Sequence, residues 1–208
     1  MISTYAELKS AIADYLNRQD LTGVIPTFVG LAESEFGRTL RVRNMLSRAT
    51  ATADSQYLSL PNDFLEMRNL RLSGPHGWQA LEVLSAKQVD DFRTYNYKNS
   101  AGVPGFYAIN GNAIELIPNP DDQFTVEMTY YSTIPALSET TTTNWLLAKN
   151  PDLYLFGSLL QTAPYLKEDE RIQTWAGIYR SLLADVVAES ERATYNGSTP
   201  KMRAKAMA

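Results

Sequence analysis

Residues 144–166 read NWLLAKNPDLYLFGSLLQTAPYL. From Leu153 to Leu160 only Gly157 and Ser158 are not large and apolar. A surface helix carries one apolar stripe; a helix that is apolar on nearly every side has to be surrounded. Asn150-Pro151-Asp152 supplies its start, with Asn as N-cap, Pro at the first position and Asp in the first turn. A helix from 151 to about 165, with Pro164 near its end, is therefore expected as the central member of a bundle. The rest of the chain has to supply its neighbours.

Three further helices are legible. Ser3-Thr4 with Glu7 is a capping-box pattern, and Tyr5, Leu8, Ile12, Tyr15 and Leu16 follow at helical spacing. Pro26 suits the first turn of a second helix carrying Phe28, Leu31, Ala32 and Phe36. Glu168-Asp169-Glu170 places negative charge at the start of a last helix, whose stripe is Trp175, Ile178, Tyr179, Leu182, Leu183, Val186 and Val187. If only these four helices pack together, one side of the central helix is left open. A neighbouring subunit or a β-rich middle could cover it, and the sequence leaves both open.

Between the helical ends the period changes to two. Residues 47–53, 56–60, 64–72, 78–84 and 123–131 read as strands. In the third of these, Leu65, Met67, Asn69 and Arg71 are expected on one face, against Glu66, Arg68, Leu70 and Leu72. In the last, Phe124, Val126, Met128 and Tyr130 alternate with Thr125, Glu127, Thr129 and Tyr131. Asn110-Gly111 between two apolar runs signals a hairpin, and Ser85 with Gln88 caps a short helix. The expected fold class is α+β. Residues 1–46 and 139–194 form a helical bundle, 47–138 a β-rich insertion, and 195–208 an extended C-terminal tail.

Composition removes several function classes. The chain has 208 residues and no cysteine, so thiolate metal sites and disulfides are excluded. A net charge of −4 does not suit neutralisation of nucleic-acid phosphates. Twelve tyrosines with a charged fraction of only 20% suit surfaces that partners cover. Met1–Leu8 lacks a basic region followed by an apolar run, so no cleaved signal is expected, and no apolar stretch of ~18 residues predicts a membrane span.

No phosphate-cradling glycine loop, GxSxG or HExxH occurs. The single His76, in Gly74-Pro75-His76-Gly77, reads as a turn residue. Asp90-Asp91, Asp121-Asp122 and Glu168-Asp169-Glu170 each have a structural reading, as adjacent helix positions, a turn and a helix start. A catalytic pair assembled from distant carboxylates would make the chain a hydrolase, and sequence spacing does not test that. Arg38, Arg41, Arg43 and Arg48 form a local basic stretch that suits a solvated face or salt bridges better than DNA. The basic C-terminal residues have too little apolar content for a core and could dock on a partner. No catalytic, cofactor-binding or metal residue is assigned.

An ordered set of segments then carries a resemblance. It comprises Leu60-Pro61-Asn62-Asp63-Phe64-Leu65-Glu66, Leu116-Ile117-Pro118-Asn119-Pro120, Tyr130-Tyr131 and Asn144-Trp145-Leu146-Leu147. It continues with Pro151-Asp152-Leu153-Tyr154-Leu155-Phe156-Gly157, Tyr165-Leu166, Asp169-Glu170-Arg171 and Trp175. The set resembles tailed-bacteriophage head–tail adaptor proteins, also called connector or head-completion proteins, over nearly the whole chain. The resemblance implies a non-enzymatic structural protein of the virion, made in the host bacterial cytoplasm. It implies a homo-oligomeric ring of about twelve copies beneath the portal protein, with a tail or nozzle protein below. Genomic DNA would pass through the lumen without specific binding, and no membrane is involved. The C-terminal tail would reach the portal through Lys201, Met202, Arg203, Lys205 and Met207. Trp145, Tyr154, Phe156, Trp175 and Tyr179 are the expected subunit-interface residues. The alternatives are a virion-associated cell-wall hydrolase using carboxylates, or a tail terminator or tube protein dominated by sheet.

Overall fold

The computed structural model of the chain describes residues 2–74, 77–95, 101–166 and 170–195. The expectations for His76, Glu168, Asp169 and the tail beyond Tyr195 lie outside those residues. In chain order the elements are α1 (Tyr5–Leu16), α2 (Ile25–Thr39), β1 (Leu46–Ala53), β2 (Tyr57–Ser59), β3 (Phe64–Gly74) and β4 (Gly77–Ala80). They continue with β5 (Glu82–Val83), α3 (Ala86–Tyr95), β6 (Phe106–Asn110), β7 (Ala113–Ile117) and β8 (Phe124–Ser132). The last are α4 (Trp145–Lys149), α5 (Pro151–Leu160) and α6 (Arg171–Tyr195). The protein is of mixed α+β class, and the chain divides into two compact units.

One unit comes from the two ends of the chain, Met1–Asn44 and Ile134 onward. Thr4 caps α1: its hydroxyl accepts from the Glu7 N–H at 3.3 Å, and the Glu7 carboxylate accepts from the Thr4 N–H at 3.1 Å. Asn17 ends the helix in the left-handed conformation, at φ 50°. At the end of α2 the Arg41 guanidinium donates to the carbonyls of Gly37 and Leu40, at 2.9 and 2.6 Å. These are carbonyls that a helix end leaves without intrahelical partners.

α5 is buried as its composition demands. Leu153, Tyr154, Leu155, Gly157, Ser158 and Leu159 are all buried, and α1, α2, α4 and α6 pack around the helix. α4 is an element the sequence reading missed. Asn144 caps it by accepting the Leu147 N–H at 2.8 Å. Asn150 sits at the α4–α5 junction, and its side chain makes no cap bond, contrary to expectation. α5 also stops at Leu160 and not near 165. Pro164 has no N–H to donate to the Leu160 carbonyl. The chain tightens into a 3₁₀ turn over Ala163–Tyr165.

The other unit is Met45–Thr133. Two sheets, in the orders β1-β8-β3-β4 and β2-β7-β6-β5, enclose one apolar core. Phe124, Val126, Met128 and Tyr130 of β8 point into it, as their alternation predicts. β3 departs from prediction. Its register against β8 shifts between Phe64 and Glu66, and again between Met67 and Asn69. An inserted residue flips the side chains that follow it to the other face. The core is therefore met by Phe64, Met67, Leu70 and Leu72, a set that mixes the two faces expected from simple alternation.

The segment expected as one strand over 78–84 is two. β4 belongs to the first sheet and β5 to the second, with buried Leu81 at the corner between them. The β6–β7 hairpin pairs Asn110 with Ala113, so its turn residues are Gly111 and Asn112. Gly111 has φ 60°, as the first position of a type II′ turn requires. α3 covers the outer face of β6 and β7, where Val89 packs with Ala108 and Ile117.

Candidate functional site

The carboxylates of the β unit are either paired or exposed. Glu115 is 3% exposed, on the face of β7 beneath α3. It pairs with Arg93 and accepts from the Gln56 and Asn110 amides at 3.1 and 2.5 Å. Glu127 on β8 pairs with Arg71 and lies 3.8 Å from Arg48, and the Arg71 hydrogen bond holds its carboxyl below the usual range. Asp90, Asp91, Asp121 and Asp122 are exposed. Among the described residues no cluster of His, Asp and Glu could hold a metal ion.

Two carboxylates of α2 organise the helical unit. Glu33 accepts the Leu137 N–H at 2.8 Å and the Tyr154 hydroxyl at 3.1 Å. Asn144 donates to the same hydroxyl at 2.6 Å and to the Pro135 carbonyl at 2.8 Å. Burial raises the Glu33 carboxyl, against those two hydrogen bonds, and burial also pushes the Tyr154 phenol up. Glu35 accepts from Tyr179 of α6 at 3.0 Å and from Gln161 at 2.9 Å. The phenols therefore stay protonated as donors that tie α5 and α6 to α2, and the chemistry on offer is positional.

The expected interface residues separate into two groups. Tyr154, Trp175 and Tyr179 are buried in their own subunit, at 0%, 5% and 4% exposure. Phe36 stacks edge-on with Tyr154, at 5.1 Å between centroids, and lies tilted against Tyr179 at 6.4 Å. These three side chains are packed mainly against their own subunit. Trp145 and Phe156 are half-buried. Phe156 meets exposed Tyr15 edge-on at 6.2 Å. Lys201, Met202, Arg203, Lys205 and Met207 lie outside the described residues.

The surface that sequence reasoning missed is made largely of residues at apolar helix positions. Tyr15, Leu31 and Tyr165 are 48%, 47% and 50% exposed, and Ile178 and Val187 are each 36% exposed. On α6 the apolar positions from Trp175 to Val187 cover an arc of roughly 180° at 3.6 residues per turn. One packed face holds only part of that arc, so its two edges, Ile178 and Val187, face outward. The width of the arc was the available signal. In the β unit, Trp78 is 51% exposed, with the Arg71 guanidinium over its ring at 5.6 Å.

The arginine stretch is mostly engaged. Arg41 covers the end of α2, and Arg48 lies near Glu127. The Arg43 N–H donates to the Ser190 hydroxyl at 2.8 Å. No helix is long and apolar enough to cross a membrane among the described residues. Residues 3–203 match a family model described as SU10 adaptor protein. No curated protein matches the chain.

Proposed function

The chain belongs to the SU10 adaptor protein family, structural adaptors of the bacteriophage virion, and from that premise we propose that it completes the head. About twelve copies form a ring beneath the portal, extend the DNA channel and offer the platform on which the tail assembles. The observation that carries this reading is the family match across residues 3–203, which leaves little of the chain for any other module.

Three features support it. The helices of the first unit argue against a sheet-dominated tube or terminator protein. The buried Glu115 and half-buried Glu33 carboxylates are held by hydrogen bonds within the packing, which favours a structural role over the hydrolase reading. About twelve copies at −4 each would sum to roughly −48, so a lumen of this protein would repel DNA and let it slide. The tail beyond Tyr195 is proposed as the portal anchor, with Lys201, Arg203 and Lys205 as charged contacts and Met202 and Met207 as apolar ones.

Electron microscopy of particles made without this protein tests the proposal. Filled or leaking heads without tails are expected, and normal tailed particles would refute it. Deleting residues 196–208 is expected to abolish co-purification with the portal while the far-ultraviolet circular dichroism spectrum stays unchanged.

A further inference from the structure

α6 has a second face. Trp175, Tyr179 and Val186 turn into the helical unit and are buried. Arg180, Leu183, Ala184, Val187, Ala188 and Glu191 line a shallow open groove on another side of the helix. At 3.6 residues per turn these six positions centre roughly 130° from the buried stripe. Neither Arg180 nor Glu191 has a salt bridge among the described residues.

The order of residues along this face is self-complementary. Arg180 and Glu191, Leu183 and Ala188, and Ala184 and Val187 are three pairs that share one midpoint, between Asp185 and Val186. A two-fold axis through that midpoint sets each residue opposite its mate in a second, antiparallel copy. Arg180 then meets Glu191 at both ends, about 16 Å apart along the helix. Large faces small between them: Leu183 opposes Ala188 and Val187 opposes Ala184, which is how two helix surfaces interdigitate. A parallel pair would set Arg180 against Arg180 and Glu191 against Glu191.

We propose that this face of α6 is the contact by which two copies of the chain pair, antiparallel about a two-fold axis. The occupant follows from charge and size together: the surface is the complement of itself and needs no other protein. Three helical turns bury less than the ~1,200 Å² of a standard interface, so the pair is weak and concentration-dependent. Because a two-fold contact closes on itself, it cannot propagate a ring. It concerns free subunits, and it stands or falls separately from the virion role.

Sedimentation velocity of the full chain over a concentration series at low ionic strength tests it. The wild-type chain is expected to shift from monomer to dimer. R180E, with acid at both ends of the face, and E191R, with base at both ends, are each expected to stay monomeric where the wild type pairs. Their circular dichroism is expected to match the wild type. An equimolar mixture of the two is expected to regain the dimer, and so is the double reversal R180E/E191R. A wild type that stays monomeric throughout, association that R180E and E191R leave unchanged, or folded variants whose mixture fails to pair would each overturn the proposal.

Discussion

Two adjacent residues of α5 show how closely the helical unit is fitted. A Cβ added at Gly157 would lie 3.0 Å from Phe36 Cζ and 3.3 Å from Tyr179 Cε2. Glycine here admits α2 and α6 to the helix and forgoes helix propensity to do so. Gly157→Ala is therefore expected to lower stability by about 1 kcal/mol net, overpacking outweighing the propensity gain. The next residue is expected to behave in the opposite way. Ser158 Oγ is buried without a hydrogen-bond partner among the described residues. Ser158→Ala removes that desolvated hydroxyl and should raise stability by about 1 kcal/mol. Urea unfolding of both variants checks the two signs. Glu33 adds a pH dependence. Its folded carboxyl is raised, chiefly by burial, so ionised Glu33 costs stability above that folded value, and the cost is relieved as pH falls. Gln can still accept from Leu137 and Tyr154 through one oxygen. Relative to wild type, Glu33→Gln is expected to be more favourable at pH 7 than at pH 4, and denaturation midpoints across that range read the difference. A constant difference would reject the assignment.

At the scale of elements, Asn144 joins α4, α5 and the 134–138 segment. It caps α4, donates to the Tyr154 hydroxyl of α5 and donates to the Pro135 carbonyl. Asn144→Ala removes the cap, worth about 1 kcal/mol, and leaves the buried Tyr154 hydroxyl and the Pro135 carbonyl without the donor they share. A loss of about 2–3 kcal/mol is expected by thermal or urea unfolding. Asn144→Asp keeps the cap acceptor and loses both donated bonds, so it should fall between the two. Asn144 was visible in the sequence as part of Asn144-Trp145-Leu146-Leu147, but its reach to residues 135 and 154 was not. Nothing local in the chain says that a cap will also bridge two other segments.

At the scale of the molecule, the β unit begins and ends at neighbouring points. Leu46 of β1 pairs with Tyr131 of β8, and the Ser132 hydroxyl donates to the Met45 carbonyl at 3.0 Å. A unit whose ends meet and whose core is its own can fold alone. Residues 45–133 expressed by themselves are expected to give a β-type circular dichroism spectrum and a cooperative urea transition. A non-cooperative transition would mean that the helical ends of the chain are needed to complete the core.

Local chemistry by itself determined the helices at both ends, the capping box of α1, the alternation of β8 and the need to surround 151–160. Each of these depends on side-chain period or on a cap within a few residues, and both are written along the chain. Tertiary structure decided the rest. The bulges of β3 set which side chains reach the core, because register is a relation between two strands. Packing chose which part of the broad apolar arc of α6 turned inward. It buried Tyr154, Trp175 and Tyr179 within the subunit and left Ile178 and Val187 outside. A residue's apolarity says that it gains by burial, and only its neighbours in space decide whether burial is available.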